Sequence, residues 1–310
     1  MSNKFLNLFS VLLTCIFDDN ENEIHKKFKN ACKTGNIELV NLLIEYTEID
    51  VSADNNYAIR LASANGHIAV VDRLLQEDKS TNRVDPSADN NFTIRWASAN
   101  GRIAVVDRLL QDGRVDPSAD NNFAIRWASQ FGHNAIVDRL LQDVRGRVDP
   151  STNNNYAICA ASYYGHIAVV DRLLQDRRVE PSVDNNYAIR WASHNGNIAV
   201  VDRLFQDGRV DPSANDNDTI CWASRNGHIA VVDRLLQDRR VDPSANDNFA
   251  IRMASERGHI AVVERLLQDS RVDPSAKNNY AFRWASQRGH NDVVERLLQD
   301  SRVKKLDTKI

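Results

Sequence analysis

The sequence predicts an all-α stack of about nine two-helix units joined by short hairpin-like loops. Three observations predict it. A glycine-centred phrase recurs along the chain, apolar residues follow a helical period on both sides of that glycine, and every Pro falls in one closing phrase. The glycines are Gly35, Gly66, Gly101, Gly132, Gly165, Gly196, Gly227, Gly258 and Gly289, spaced by 31, 35, 31, 33, 31, 31, 31 and 31 residues. A period of this size marks a solenoid, in which each unit packs on its neighbours. The two longer intervals come from "QEDKSTNRVDP" and "QDVRGRVDP", where other units read "QDGRVDP". Insertions confined to one point of a repeat mark a surface loop.

Residues 119–146 show the pattern of one unit. Asn122 is placed as a helix N-cap, and Asn fills the matching place in all eight full units. The segment "FAIRWASQF" puts Ile125, Ala128 and Ser129 on one face, and Gly132 ends the helix in the left-handed conformation. In "NAIVDRLLQD", Ile136, Leu140 and Leu141 turn inward while Asp138 and Arg139 form a solvated face. "RVDPS" closes the unit and contains the Pro, seven in the whole chain. Pro lacks the N–H that a continuing helix needs. Helices of about nine residues do not persist alone, so stacking must bury their apolar sides.

Three segments follow. Residues 1–22 are an apolar segment with residues 5, 6, 8, 9, 12, 13, 16 and 17 on one helical stripe, read as a capping helix. A signal peptide or membrane anchor is the alternative, but the run is too short to span a bilayer as a helix and no small-residue cleavage site follows. Residues 23–303 are the repeat domain, and 304–310 a short tail. Lys26, Lys27, Lys29 and Lys33 near the start, and Lys304 and Lys305 after the last unit, supply the polar ends that terminal units require.

Composition narrows the function. A net charge of −3 with interleaved acids and bases gives no footprint for nucleic acid or an anionic membrane. Four Cys in no paired spacing (Cys15, Cys32, Cys159, Cys221) imply neither a disulfide framework nor a zinc site, and point to a reducing compartment. Asn91-Phe92-Thr93 and Asn217-Asp218-Thr219 are glycosylation sequons, but both Asn sit at the turn into a packed helix. Ser, His and Asp recur in nearly every unit without a set that is individual to one place, so no catalytic constellation emerges. No phosphate-cradling glycine loop and no metal-ligand spacing appears, and no cofactor is expected.

"ADNNYAIRLASANGHIAVVDRLLQ" resembles the ankyrin repeat, in the style of ankyrin proteins from giant viruses of amoebae. The likeness covers about nine tenths of the chain. It departs at the helix start, where Tyr or Phe, Ala and Arg of "YAIRWA" replace Thr, Pro and His of the family phrase. The resemblance implies a non-enzymatic, monomeric, cytoplasmic scaffold (host cytoplasm if viral) that binds a partner protein on its concave face, with no role for nucleic acid or membrane. A second implied reading is an adaptor that links a bound target to host machinery such as a ubiquitin ligase. Residues 1–22 would carry that link, though they are too few for a complete F-box.

Repeated residues are read as scaffold. The five Trp (Trp96, Trp127, Trp191, Trp222, Trp284) share one position in the first helix and are assigned to packing between units. Six Arg (60, 95, 126, 190, 252, 283) precede that position and are assigned to hairpin carbonyls or carboxylates such as Asp54, Asp89, Asp120 and Asp184. The units with Cys159 and Cys221 instead carry Asn153 and Asn215 where those acids stand, which reads as paired change inside one unit. Six His that follow the glycine are assigned to hydrogen bonds at a helix start. The least repetitive positions are the two before each glycine, which match the family's partner-facing helix ends. The partner-binding candidates are therefore Phe131, Tyr163, Tyr164, His194, Arg225, Arg257 and Arg288. The fifth unit, "NNYAICAASYYGH", loses both Arg and Trp. Tyr163, three residues after Ala160, is placed to fill the missing indole's space, and Tyr164 to face outward.

Overall fold

The computed structural model describes residues 21–76 and 83–303. The capping helix assigned to residues 1–22 lies outside them except for its last two residues, as do most of the first insertion and the tail. Among the described residues there are eighteen helices in nine pairs and no strand. The pairs begin with Glu21–Thr34 and Ile37–Tyr46 and end with Ala276–Arg288 and Asn291–Leu298. The chain divides into two compact bodies, Met1–Thr152 and Asn153–Ile310. The first holds units one to four, the second units five to nine.

Each first helix buries the face that its sequence period indicates. In unit four, Ile125, Ala128 and Ser129 are fully buried. Its second helix buries Ile136, Val137 and Leu140, whereas Leu141, expected inside, is half-buried. The second insertion is a surface loop, with Val144 wholly exposed.

The turn into each first helix holds the main departure from expectation. Three consecutive non-glycine residues adopt left-handed backbone in all eight full units, for example Asp184, Asn185 and Asn186 with φ of 51°, 54° and 61°. L-residues resist this conformation by roughly 1–2 kcal/mol each, and Asn and Asp resist it least. That explains the repeated "DNN". The third Asn does border the regular helix, but its side chain is not the local cap expected of Asn122. Asn122 Oδ1 accepts from the backbone N–H of Asp149 at 2.7 Å, in the closing phrase that leads into the next unit's first helix, and Asn186 does the same for Asp211 at 2.8 Å. Asp211 in turn accepts from the backbone N–H and hydroxyl of Ser213. The bond thus wedges one turn onto the next.

The glycine–histidine step is also a contact between units. Gly196 has φ of 74°, and a Cβ added there would lie 2.6 Å from Nδ1 of His228, a ring belonging to the next unit. Nε2 of His228 donates to the carbonyl of His194 at 2.9 Å, and His259 likewise to Arg225 at 3.0 Å. These imidazoles close the end of the preceding unit's first helix; they do not cap the start of their own, as expected. Burial lowers the pKa of His259, against the raising effect of that hydrogen bond. On the second helices, Asp and Arg are likewise more than a solvated face. Arg139 pairs with Asp107, Arg234 with Asp202 and Arg265 with Asp233, at 2.6–2.7 Å, as a ladder from unit to unit.

Candidate functional site: the ends and inner faces of the first helices

The repeated Arg occupies a seat built by two units. In unit three, Arg95 Nε donates to the Asn90 carbonyl at 2.8 Å and Nη2 to the Asp89 carbonyl at 2.9 Å. Its Nη1 reaches Asp120 of unit four at 2.8 Å, and its guanidinium lies 5.2 Å from the Phe123 ring centre. Arg60 pairs with Asp89 in the same sense. The structural role assigned to these Arg holds, but the pairing of changes inside one unit does not. Arg60 and Arg95 each use the carbonyls of their own turn and the carboxylate of the following one, because the guanidinium projects across the gap between units. Arg190 shows the consequence: it faces Asn215 in place of an acid and pairs instead with Asp218, at 3.0 Å.

The Trp ladder packs between units as expected. In the first body, Phe92, Trp96, Phe123, Trp127 and Phe131 follow one another with ring centres 5.2–5.8 Å apart. The face stays partly open to solvent: Trp96 is 39% and Phe131 49% exposed.

In the second body the pre-glycine residues enter a similar run. Tyr163 is half-buried, edge-on to Tyr164 at 4.8 Å and 5.3 Å from Trp191 of unit six. His194 lies between Trp191 and Trp222, at 4.9 and 5.4 Å, and the Arg225 guanidinium sits 4.8 Å from the Trp222 ring. Tyr163, Tyr164, His194 and Arg225 therefore belong to one contiguous stripe. Tyr164 is its exposed edge, at 52%. Arg288 is held by Glu256 at 3.0 Å, while Arg257 is exposed.

Tyr163 does not fill the space above Ala160, because its ring leans toward Trp191. An open cavity of about 380 Å³ remains, lined by Asn153, Asn154, Tyr156, Cys159, Ala160, Tyr163, Tyr164, Asp184 and Tyr187. Burial, and then the Asp184 carboxylate, push the Cys159 thiol up to about 12, so it is a neutral group at pH 7. Burial also raises the Tyr187 phenol. Asn153, Asn154, Tyr156, Asp184 and Tyr187 were missed as site residues. The signal was present in the loss of Arg and Trp at 159 and 160, but reading it required knowing that an Arg faces the next unit's acid.

Among the described residues, no three His, Cys, Asp or Glu side chains converge as metal ligands, and no helix is long and apolar enough to cross a membrane. Both sequon Asn have their side-chain oxygens engaged between units, Asn91 to Asp116 and Asn217 to Asp242, each at 2.7 Å.

The paired helices, the glycine-centred step and the wedge between turns define a repeat solenoid. The family model described as "Ankyrin repeats (3 copies)" matches six overlapping segments, from residues 28–122 to residues 220–308. The chain belongs to the ankyrin-repeat family, whose repeats are in general protein–protein interaction modules. No curated protein matches it.

Proposed function

We propose that this chain is a non-enzymatic scaffold that binds a partner protein with the first-helix ends of its units, the face that would be concave in the family's arrangement. The observation that carries this reading is the contrast at the pre-glycine pair. The chain copies its core, turns and ladders from unit to unit, yet these two positions are the least repetitive, reading Ala-Asn in units two and three and differing from there on, and there it exposes Phe131 and Tyr164. Half-exposed rings on a rigid helix end suit an interface anchor, since they offer large area at little entropy cost. Tyr163, His194 and Arg225 back the Tyr164 edge, and Arg257 and Arg288 extend a polar flank that favours an acidic stretch of the partner. A monomer in the cytoplasm, of a host cell if the chain is viral as its repeat style suggests, belongs to the same proposal.

The test is Phe131→Ala and Tyr164→Ala, each assayed for melting temperature and for binding to a partner captured from lysate. Binding should weaken by about tenfold or more with the melting temperature within about 2 °C of the parent. Lower stability with intact binding would return both rings to the scaffold.

A further inference from the structure

Unit five keeps the seat of the repeated Arg but lacks the Arg. Its residues match unit three one for one at an offset of 64: Asn153 and Asn154 stand at Asp89 and Asn90, Cys159 at Arg95, Ala160 at Trp96, Asp184 at Asp120 and Tyr187 at Phe123. In unit three, those groups supply two carbonyls, one carboxylate and one ring to a guanidinium. In unit five the only side chain in its place is a short thiol, whose sulfur is 4.0 Å from the Asn154 carbonyl oxygen. Among the described residues Asp184 has no ion-pair partner, and it is exposed. The neighbouring Ala160 leaves room beside the seat, and all of these groups line the open cavity of about 380 Å³. That volume is within the roughly 300–1,000 Å³ of small-ligand sites.

We propose that this cavity is a recognition site for an arginine side chain of a partner peptide, which enters unit five from outside and takes the place that Arg95 occupies in unit three. The proposal rests on the scaffold reading above and adds the chemistry of one partner residue. The guanidinium donates to the Asn153 and Asn154 carbonyls, its planar fork faces Asp184, and its flat faces lie against the Tyr187 ring and its neighbours Tyr163 and Tyr156. An arginine fits better than a lysine because the acceptors are spread around a fork, as in unit three, and do not converge on one point. The neutral Cys159 thiol neither repels the cation nor competes for it.

The probe is the blocked peptide acetyl-Gly-Gly-Arg-Gly-Gly-amide, titrated into the full chain and followed by amide NMR. Its counterpart with citrulline has the same shape without the charge. The arginine peptide should give saturable shifts at residues 153–164 and 184–187, and the citrulline peptide should bind about tenfold or more weakly. Asp184→Asn should weaken the arginine peptide by a similar factor. Cys159→Arg places a guanidinium in the seat from inside the chain; it should abolish binding and raise the melting temperature. Equal binding of both peptides, or unchanged binding to Cys159→Arg, would overturn the site. A captured partner that needs Tyr164 but binds Asp184→Asn and Cys159→Arg as well as the parent also overturns it, and leaves the scaffold reading standing.

Discussion

Units five and six are written from the same phrase, lie in the same body and differ at the inner face. Unit six has Arg190 over its turn and Trp191 packed against Tyr163, Tyr187 and His194. Unit five has Cys159, Ala160 and a cavity. The wedge between turns is nevertheless the same in both: Asn155 accepts from Glu180 at 2.7 Å, and Asn186 from Asp211 at 2.8 Å. The difference teaches which residues hold the stack. The buried Asn, the second-helix ladder and the polar side chain after the glycine, which in unit six is Asn197 donating to the Ser162 and Tyr163 carbonyls, do so, while Arg and Trp finish an inner face that can be given up locally.

Features common to both units should respond alike when they are removed, and acid should have the largest effect. Asp176 in unit five and Asp207 in unit six are bridged by Arg178 and Arg209 across their own turns, as are Asp238, Asp269 and Asp300 further on. Hydrogen bonds from these Arg lower each carboxylate's pKa, that of Asp300 to about 2. A carboxylate lowered in the folded state adds stability that is complete above its unfolded value near 3.9 and is lost as pH falls through the folded value. Thermal unfolding followed by circular dichroism should therefore show a flat melting temperature above about pH 5 and a steep fall from about pH 4 to 2. A flat profile down to pH 2 would remove these bridges from the account.

Next in size is the wedge. Asn186→Ala leaves the Asp211 N–H without its acceptor and puts a Cβ-branched-free but Asx-less residue in left-handed backbone. A loss of about 3 kcal/mol in urea unfolding is expected, and a similar loss for Asn155→Ala. A large effect in only one unit would break the comparison. The smallest effect has the opposite sign. Ser162 and Ser193 are fully buried, and among the described residues no group hydrogen-bonds their hydroxyls. Replacing either with Ala should stabilise by about 1 kcal/mol, because an unpaired buried hydroxyl is removed and helix propensity improves. Destabilisation on that scale would show that the hydroxyl has a partner, such as water.

The helices, their buried faces and the position of the surface insertion were legible because they depend on local period and on Gly and Pro. What was not legible lies one repeat away. Asn186 bonds Asp211, His228 bonds the His194 carbonyl, and Arg265 bonds Asp233, at separations of 25, 34 and 32 residues. In a chain that repeats every 31 residues, composition does not distinguish a partner in the same unit from its copy in the next. Local rules therefore assigned Asn to a cap and His to a helix start. The exposure of Phe131 and Tyr164 could be read from their places beside the glycine. The lean of Tyr163 could not, because it depends on Trp191, which belongs to another unit.

The most direct test makes unit five a copy of unit six. The double substitution Cys159→Arg with Ala160→Trp restores the guanidinium and the indole in one step. The melting temperature of this variant, measured with its binding of the arginine peptide, decides whether the cavity is a site set into an otherwise self-sufficient stack. The account predicts a rise of roughly 2–4 °C and loss of peptide binding. An unchanged or lower melting temperature with the peptide still bound would contradict it.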